Sequence, residues 1–400
     1  MDLTEIKECL ACGHDHLIPV LDLNDQPLAN SYKKTKDEPE VSYPLKINRC
    51  NYCYHVQLSH AVNPDLIYKN YLYVSGTTKT YVEYMEWYAD FCIETFGHNP
   101  GSVLDIGCND GSQLNAFKSR GLSTYGVDPA ENLYSISSQN HNVKCGYFDK
   151  NYQLDENYQQ YADIITIQNA FAHNPNPREF LKNCKRNLKP GGLIFIQTSQ
   201  SDMILNNEFD TIYHEHISFY NILSMSLLCI RAGLELIDVV KTPIHGTSYI
   251  FIISADKKQY ARVINFIGME NFASLYDRKT YVDYAQNCID MVDKFKEKVE
   301  YWRSQGYKVV GYGAAAKANT FLNFSKVPFD MIIDDNPLKQ GLYTPGSSVG
   351  IVSSDVLKTF TKDDKILFVP LAWNFFKEIR ERIIAKRNNF NDIFLNMKDL

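Results

Sequence analysis

Apolar residues in this chain fall into short runs punctuated by glycine turns, with longer amphipathic stretches between them. Val103 to Ile106 is one such run; Gly107 and Gly111 follow it, and Gln113 to Arg120 then has helical spacing. The rhythm recurs. Thr124 to Val127 predicts a second strand, ending in Asp128, and Ala162 to Gln168 a third. Leu193 to Ile196, Ala232 to Val239 and Tyr249 to Ser254 predict three more, and helical spacing from Tyr81 to Phe96 precedes the first. Continuous apolar runs alternating with helices point to a mostly parallel sheet covered on both faces. A long polar helix over about Tyr281 to Gln305 leads to a second pattern of the same kind. There Val309 and Val310 run into Gly311 and Gly313, Phe329 to Ile333 ends in Asp334, and Lys365 to Pro370 gives another strand. The pattern predicts an α/β chain with two such domains.

The first glycine turn is the better defined. Its glycines let the backbone approach a ligand closely, and the helix that follows presents free N–H groups. Asp128, seventeen residues after Gly111, stands where an acid accepts hydrogen bonds from the hydroxyls of a ribose. The dinucleotide fingerprint Gly-x-Gly-x-x-Gly is absent from this turn. The run Leu104 to Gly111 instead resembles the Asp-x-Gly-x-x-x-Gly loop of class I S-adenosylmethionine (AdoMet) methyltransferases, with Asp105, Gly107 and Gly111 at the motif positions. The Lys189-Pro190-Gly191-Gly192 turn before an apolar strand is similar to that family too. The resemblance implies AdoMet as cofactor, held by Asp105, Gly107, Asn109, Gly111, Asp128, Pro129 and Asn169. The alternative is a Rossmann-like unit that binds no AdoMet.

Four of the ten cysteines form two pairs, Cys9 with Cys12 and Cys50 with Cys53. A Cys-x-x-Cys turn directs two thiolates at one point, so two turns complete a tetrahedral, structural zinc site with no open position. Free thiols or a disulfide pair are the alternatives. His14, His16 and His55 lie close in sequence and are expected as bystanders.

Two further stretches carry chemistry. Tyr68 to Thr78 is rich in tyrosine, and Tyr71, Tyr73 and Ser75 are candidates to line a substrate pocket rather than a packed linker. Tyr213-His214-Glu215-His216 lies beyond the strand end near Gln197, on the side where α/β sheets bind ligands. A metal site or plain polar packing are the other readings of that stretch. In the C-terminal part, the glycine loop suits a phosphate or pyrophosphate, against a fold relic that only packs.

The order of parts resembles one family, the sugar C-methyltransferases acting on nucleotide-linked 4-keto-6-deoxy sugars. It is carried by the two Cys-x-x-Cys pairs, the AdoMet loop, Tyr-His-Glu-His, and His245-Gly246-Thr247-Ser248. Gly311-Tyr312-Gly313-Ala314 with Lys317, and Asp334 to Gly341, complete it. Thr247 and Ala315 depart from the residues usual there, glycine and proline. The resemblance implies methylation at C3 of the hexose, with C5 as the variant. Carbon methylation needs a base, and His216 is assigned that role, with Tyr213 and Glu215 as partners; a neutral imidazole accepts a proton at cellular pH. Substrate contacts are expected from Tyr71, Tyr73, Ser75, His245, Gly313, Lys317, Asn319, Asp334 and Lys339. The expected layout is a zinc-binding domain over 1–70, an AdoMet domain over 71–241 and a Rossmann-like, nucleotide-sugar-binding domain over 242–400. An O- or N-methyltransferase of another small molecule or RNA, and a non-catalytic AdoMet-binding protein, are the competing classes.

Composition narrows the field. The net charge of −6 comes without a dense basic cluster, which argues against a nucleic-acid partner. No apolar run reaches the roughly 20 residues of a membrane span. Met1 to Glu5 is acidic and unlike a signal peptide, so a cytoplasmic location is expected, and a monomer is compatible with the sequence.

Overall fold

The computed structural model describes residues 2–69, 74–77, 79–152, 160–198, 200–242, 248–256, 261–387 and 389–399. Contacts divide the chain into two units. The first comprises Met1–Pro19, Asn48–Asp202 and Glu215–Asp277; the second comprises Val20–Ile47, Met203–His214 and Arg278–Leu400.

The N-terminal strands are Leu3–Glu5 (β1), Leu17–Pro27 (β2), Ser42–Cys50 (β3), Val56–Leu58 (β4) and His60–Val62 (β5). Next come Ser102–Ile106 (β6), Ser123–Asp128 (β7), Asn142–Cys145 (β8), Ala162–Gln168 (β9) and Leu188–Thr198 (β10). Ser218–Phe219 (β11), Glu235–Thr242 (β12) and Ser248–Ser254 (β13) follow. β1 pairs with β5, and a small sheet has the order β11-β4-β3-β2.

Among the described residues, the large sheet of the first unit has seven strands in the order β12-β13-β10-β9-β6-β7-β8. Every neighbour from β10 to β8 is parallel, whereas β13 runs antiparallel to both β10 and β12. β13 lies between two strands, so all seven of its residues are buried. That explains its unbroken apolar run. One sheet face packs Val103, Ile164, Phe195 and Ile252 under Tyr88 and Cys92 of helix Lys79–Phe96. The other packs Ile106, Ile165 and Ile196 against Leu181 and Leu228.

Two differences from the sequence reading have plain causes. The expected strand from Ala232 begins at Glu235, because Gly233, in the left-handed region at φ 74°, ends helix Ile222–Ala232. The expected boundaries at 70 and 241 also differ from the contact units. β13 pairs into the large seven-stranded sheet, and Val20–Ile47 belongs with the second unit, where Lys33 and Tyr343 exchange backbone hydrogen bonds of 2.9 and 2.8 Å.

The second unit holds the strands Lys308–Tyr312 (β14), Met331–Ile333 (β15), Ile351–Val352 (β16), Ile366–Pro370 (β17) and Ile393–Phe394 (β18). They form a parallel sheet in the order β16-β15-β14-β17-β18. Its core is Val310, Ile333, Ile366 and Phe368 with Ile379 and Ile383 of helix Phe376–Arg387. The segment Met203–His214 is fastened here. Thr320 Oγ1 donates to the Ile212 carbonyl at 2.9 Å, and Trp373 Nε1 to Asp210 Oδ2 at 2.6 Å.

Candidate active site and metal centre

The two cysteine turns meet. The Sγ atoms of Cys9, Cys12, Cys50 and Cys53 all lie within 4.8 Å of one another, with Cys9–Cys53 and Cys12–Cys50 at 3.5 Å. Zinc–sulfur bonds of about 2.3 Å in a tetrahedron place sulfurs about 3.8 Å apart, so the donor set fits zinc. Backbone N–H groups already point at sulfur, from Cys12 to Cys9 at 3.4 Å and from Tyr52 to Cys50 at 3.3 Å. Hydrogen bonding from Cys53 first, then Cys9, lowers the Cys12 thiol to about 3 and lowers Cys50 in the same way. Hydrogen bonding with Cys12 is the first cause that pushes Cys9 and Cys53 up. No cysteine is in a disulfide.

Helix Ile222–Ala232 braces both turns. Asn221, its N-cap, donates to the Cys53 carbonyl at 3.1 Å, and Arg231 in its last turn donates to the Ala11 carbonyl at 2.7 Å. The nearby histidines are engaged elsewhere: His14 stacks on Tyr52 at 4.3 Å, and His55 is buried with Nε2 3.2 Å from Ser218 Oγ. His16 Nδ1 lies 3.3 Å from Asn51 Nδ2.

The candidate cofactor crevice lies at the C-terminal ends of β6, β7 and β9, where Gly107, Asp128 and Asn169 stand. Gly107 has φ 79°, and a Cβ there would come within 2.7 Å of Ala170 Cβ. Gly111 has φ 83°, so both glycines are required by the backbone. Asn109 N–H donates to Asp128 Oδ2 at 2.9 Å and Ala130 N–H to Oδ1 at 2.8 Å. Asp128 thus closes the loop and keeps a lone pair on each oxygen; burial raises its pKa against those two bonds. Asn109 Oδ1 accepts from Ser75 N–H at 3.0 Å, which joins the end of the tyrosine-rich stretch to the loop. Pro129, between Asp128 and Ala130, is half-buried. Asn169, also left-handed at φ 55°, directs its amide to Tyr81 Oη at 3.4 Å.

Asp105 sits differently. It is buried within β6, accepts from Thr166 Oγ1 at 2.7 Å, and burial raises it to about 7. It braces the strand beneath the loop. The open glycine loop and the acid at the end of β7 fit the adenosine and methionine parts of AdoMet.

The Tyr213-His214-Glu215-His216 stretch separates its two imidazoles. His214 is buried with Nε2 3.2 Å from the Tyr43 carbonyl, and burial lowers it to about 4. His216 is half-buried and stacks on His173, with ring centroids 5.5 Å apart. His173 stacks in turn on Tyr68, also at 5.5 Å. Burial lowers His173 to about 4, so it is neutral at cellular pH. Ile217 N–H donates to the Ala172 carbonyl at 2.9 Å, which ties the His216 segment to the turn after Asn169. Glu215 is buried and its carbonyl accepts from Tyr68 Oη at 3.5 Å. Tyr213 is half-buried and belongs to the second unit's segment. The sequence reading missed His173 and did not single out Tyr68; the signal was a histidine in the turn straight after a strand end. Tyr71, Tyr73 and His245 lie outside the described residues.

Three family models match in succession: a zinc binding domain over residues 9–68, a methyltransferase domain over 81–239, and the C-methyltransferase C-terminal domain over 243–392. The chain is 29% identical to the C-methyltransferase NovU of Streptomyces niveus, over 94% of this chain and 91% of that one. The chain has the architecture of an AdoMet-dependent C-methyltransferase. A ubiquinone biosynthesis O-methyltransferase of Coxiella burnetii is 28% identical over 38% of this chain and 72% of its own length. An S-adenosylmethionine-dependent methyltransferase structure from Clostridium acetobutylicum covers 43% of this chain and 91% of its own, at 14% identity and a TM-score of 0.36.

The second unit repeats the geometry of the first glycine loop. Gly313 has φ 99°, Ala314 N–H donates to Asp334 Oδ2 at 2.7 Å, and Asn336 N–H donates to Oδ1 at 2.8 Å. Asp334 therefore holds its loop as Asp128 holds the first. Lys339 donates to the Ala314 carbonyl at 2.7 Å and lies over the Tyr32 ring at 5.1 Å; burial lowers its pKa. Lys317 in the first turn of helix Ala316–Ser325 lies 5.3 Å from the Trp373 ring. Asn319 is fully buried and turns its amide to the Ala29 carbonyl at 2.6 Å, an anchoring contact rather than an open one. Among the described residues, no helix is long and apolar enough to cross a membrane.

Proposed function

We propose that this C-methyltransferase methylates a nucleotide-linked 4-keto-6-deoxy hexose at C3. The observation that carries this reading is the His216–His173–Tyr68 ring stack, held one peptide from the turn that follows the cofactor crevice. A carbon without a lone pair needs a proton removed before it can accept a methyl group. A 4-keto group acidifies the adjacent C3–H and makes an enolate accessible. AdoMet, when bound, supplies the electrophilic methyl group.

His216 takes the C3 proton on an imidazole nitrogen. The neutral His173 beside it leaves proton uptake by His216 unopposed, because only a cationic neighbour would repel the proton being gained. Tyr213 donates to the 4-keto oxygen and steadies the charge that develops there. The Asp128 carboxylate holds the ribose of the cofactor. The second glycine loop, with Gly313, Lys317 and Lys339, receives the pyrophosphate of the substrate through backbone N–H groups and cationic side chains.

The test is incubation with AdoMet and a panel of dTDP-, GDP- and CDP-linked 4-keto-6-deoxy sugars, read by mass spectrometry and by the position of the new methyl group. One panel member should gain a single methyl on C3. Methyl transfer to oxygen, or to no member, would refute the reading.

A further inference from the structure

Ile217, the residue after His216, has both sides of its backbone engaged. Its N–H donates to Ala172 in the turn that carries His173, and its carbonyl accepts from Leu58 N–H at 2.8 Å. Leu58 ends β4, which begins three residues after the metal-centre residue Cys53. β4 pairs antiparallel with β11, Ser218 opposite Gln57 and Phe219 opposite Val56. A two-residue strand such as β11 has little stability of its own, so its place is set by what it pairs with.

Gln57 links this strand to the other cysteine turn. It is fully buried. Its Oε1 accepts from Leu10 N–H at 2.8 Å and its Nε2 donates to the Glu8 carbonyl at 3.0 Å. Leu10 lies between Cys9 and Cys12. One residue thus grips the first cysteine turn with its side chain while its backbone stands opposite Ser218.

We infer that the four-cysteine centre positions the active site, and that Gln57 is the residue through which it sets the place of His216. Zinc on four thiolates fixes the two turns against each other. Gln57 and β4 then carry that geometry into β11 and the Ile217 peptide. The inference rests on the reading of His216 as the base, and Gln57 is a positioning residue that touches no substrate.

The experiment uses Gln57→Leu in the full chain, which keeps the shape and the four thiols but removes both side-chain hydrogen bonds. The expected variant holds about one zinc per chain and binds AdoMet within about twofold of the parent by calorimetry. Its kcat falls about 10–100-fold at unchanged KM, and the imidazole NMR signals of His216 shift. A parent-like kcat with unmoved His216 signals would overturn the inference, as would loss of zinc from the variant. His216→Ala is run beside it. If that variant keeps turnover, the base reading fails, and the His216 signals alone decide the positioning claim. Should Gln57→Leu not fold, the parent enzyme is treated with a zinc chelator and followed by amide exchange. Faster exchange at Leu58 and Ile217 with AdoMet affinity retained supports the inference. Unchanged exchange there, or AdoMet binding lost together with zinc, overturns it.

Discussion

His214 and His216 are two residues apart and meet different surroundings. One directs Nε2 at the Tyr43 carbonyl; the other stacks on His173. Sequence spacing marks the histidine pair after a strand end but does not say which imidazole turns inward. It does not anticipate His173, whose link to His216 depends on the Ile217–Ala172 hydrogen bond between segments more than forty residues apart. The acid at Asp128 was legible from its place at a strand end, whereas the inward turn of Asp105 towards Thr166 was not, since a motif fixes positions and not side-chain directions. His216→Ala should lose about 10²–10⁴ in turnover and stop exchange of the substrate C3 proton with deuterated water, while calorimetry finds AdoMet affinity intact. Near-parent turnover in that variant, with Tyr213→Phe inactive, would transfer the role to the tyrosine. Asp128→Ala should weaken AdoMet binding by about 1.5–3 kcal/mol, and an unchanged titration would remove Asp128 from the site.

Helix Ile222–Ala232 is the element that joins the metal centre to the methyltransferase sheet. Its N-terminus carries a capping box of Asn221 and Ser224 and a second acceptor, the buried Glu270, whose two oxygens lie 3.1 and 3.0 Å from Ile222 N. Tyr276 Oη donates to the same carboxyl group. Burial raises Glu270 to about 8, above the ordinary glutamate value. A folded-state pKa raised in this way gives stability that is fully present below about pH 4.5 and lost as pH rises through 8. The slope approaches about 1.4 kcal/mol per pH unit between those limits. Glu270→Gln does not titrate, so its unfolding free energy relative to the parent should rise across that window, as measured by denaturant titration at several pH values. A constant offset would show that Glu270 is ionised in the folded protein throughout. The strands of the large sheet were readable from their apolar runs. The insertion of β13 between β10 and β12 was not, because a strand buried on both faces has the same pattern in either orientation.

At the scale of the whole chain, two glycine loops are closed by two acids in the same way. Asp128 accepts from Asn109 and Ala130, and Asp334 accepts from Ala314 and Asn336. If the second loop receives the nucleotide of the substrate, Lys317→Ala should weaken nucleotide-sugar binding about tenfold, the loss of one charge-assisted contact, and leave AdoMet affinity within about twofold. Equal loss for both ligands would point to a general change in folding instead. Metal analysis should find about one zinc per chain, and a folded, active, metal-free protein would refute the zinc assignment. The contact units are each assembled from three separate stretches of sequence. That has a practical meaning for recombination. A crossover at residue 277 between this enzyme and a relative would leave the first unit from one parent and give the second unit segments from both, because Val20–Ile47 and Met203–His214 belong with Arg278–Leu400. Chimeras that exchange all three of those stretches together should express and fold, while a hybrid crossed at 277 alone inherits a mismatched second unit.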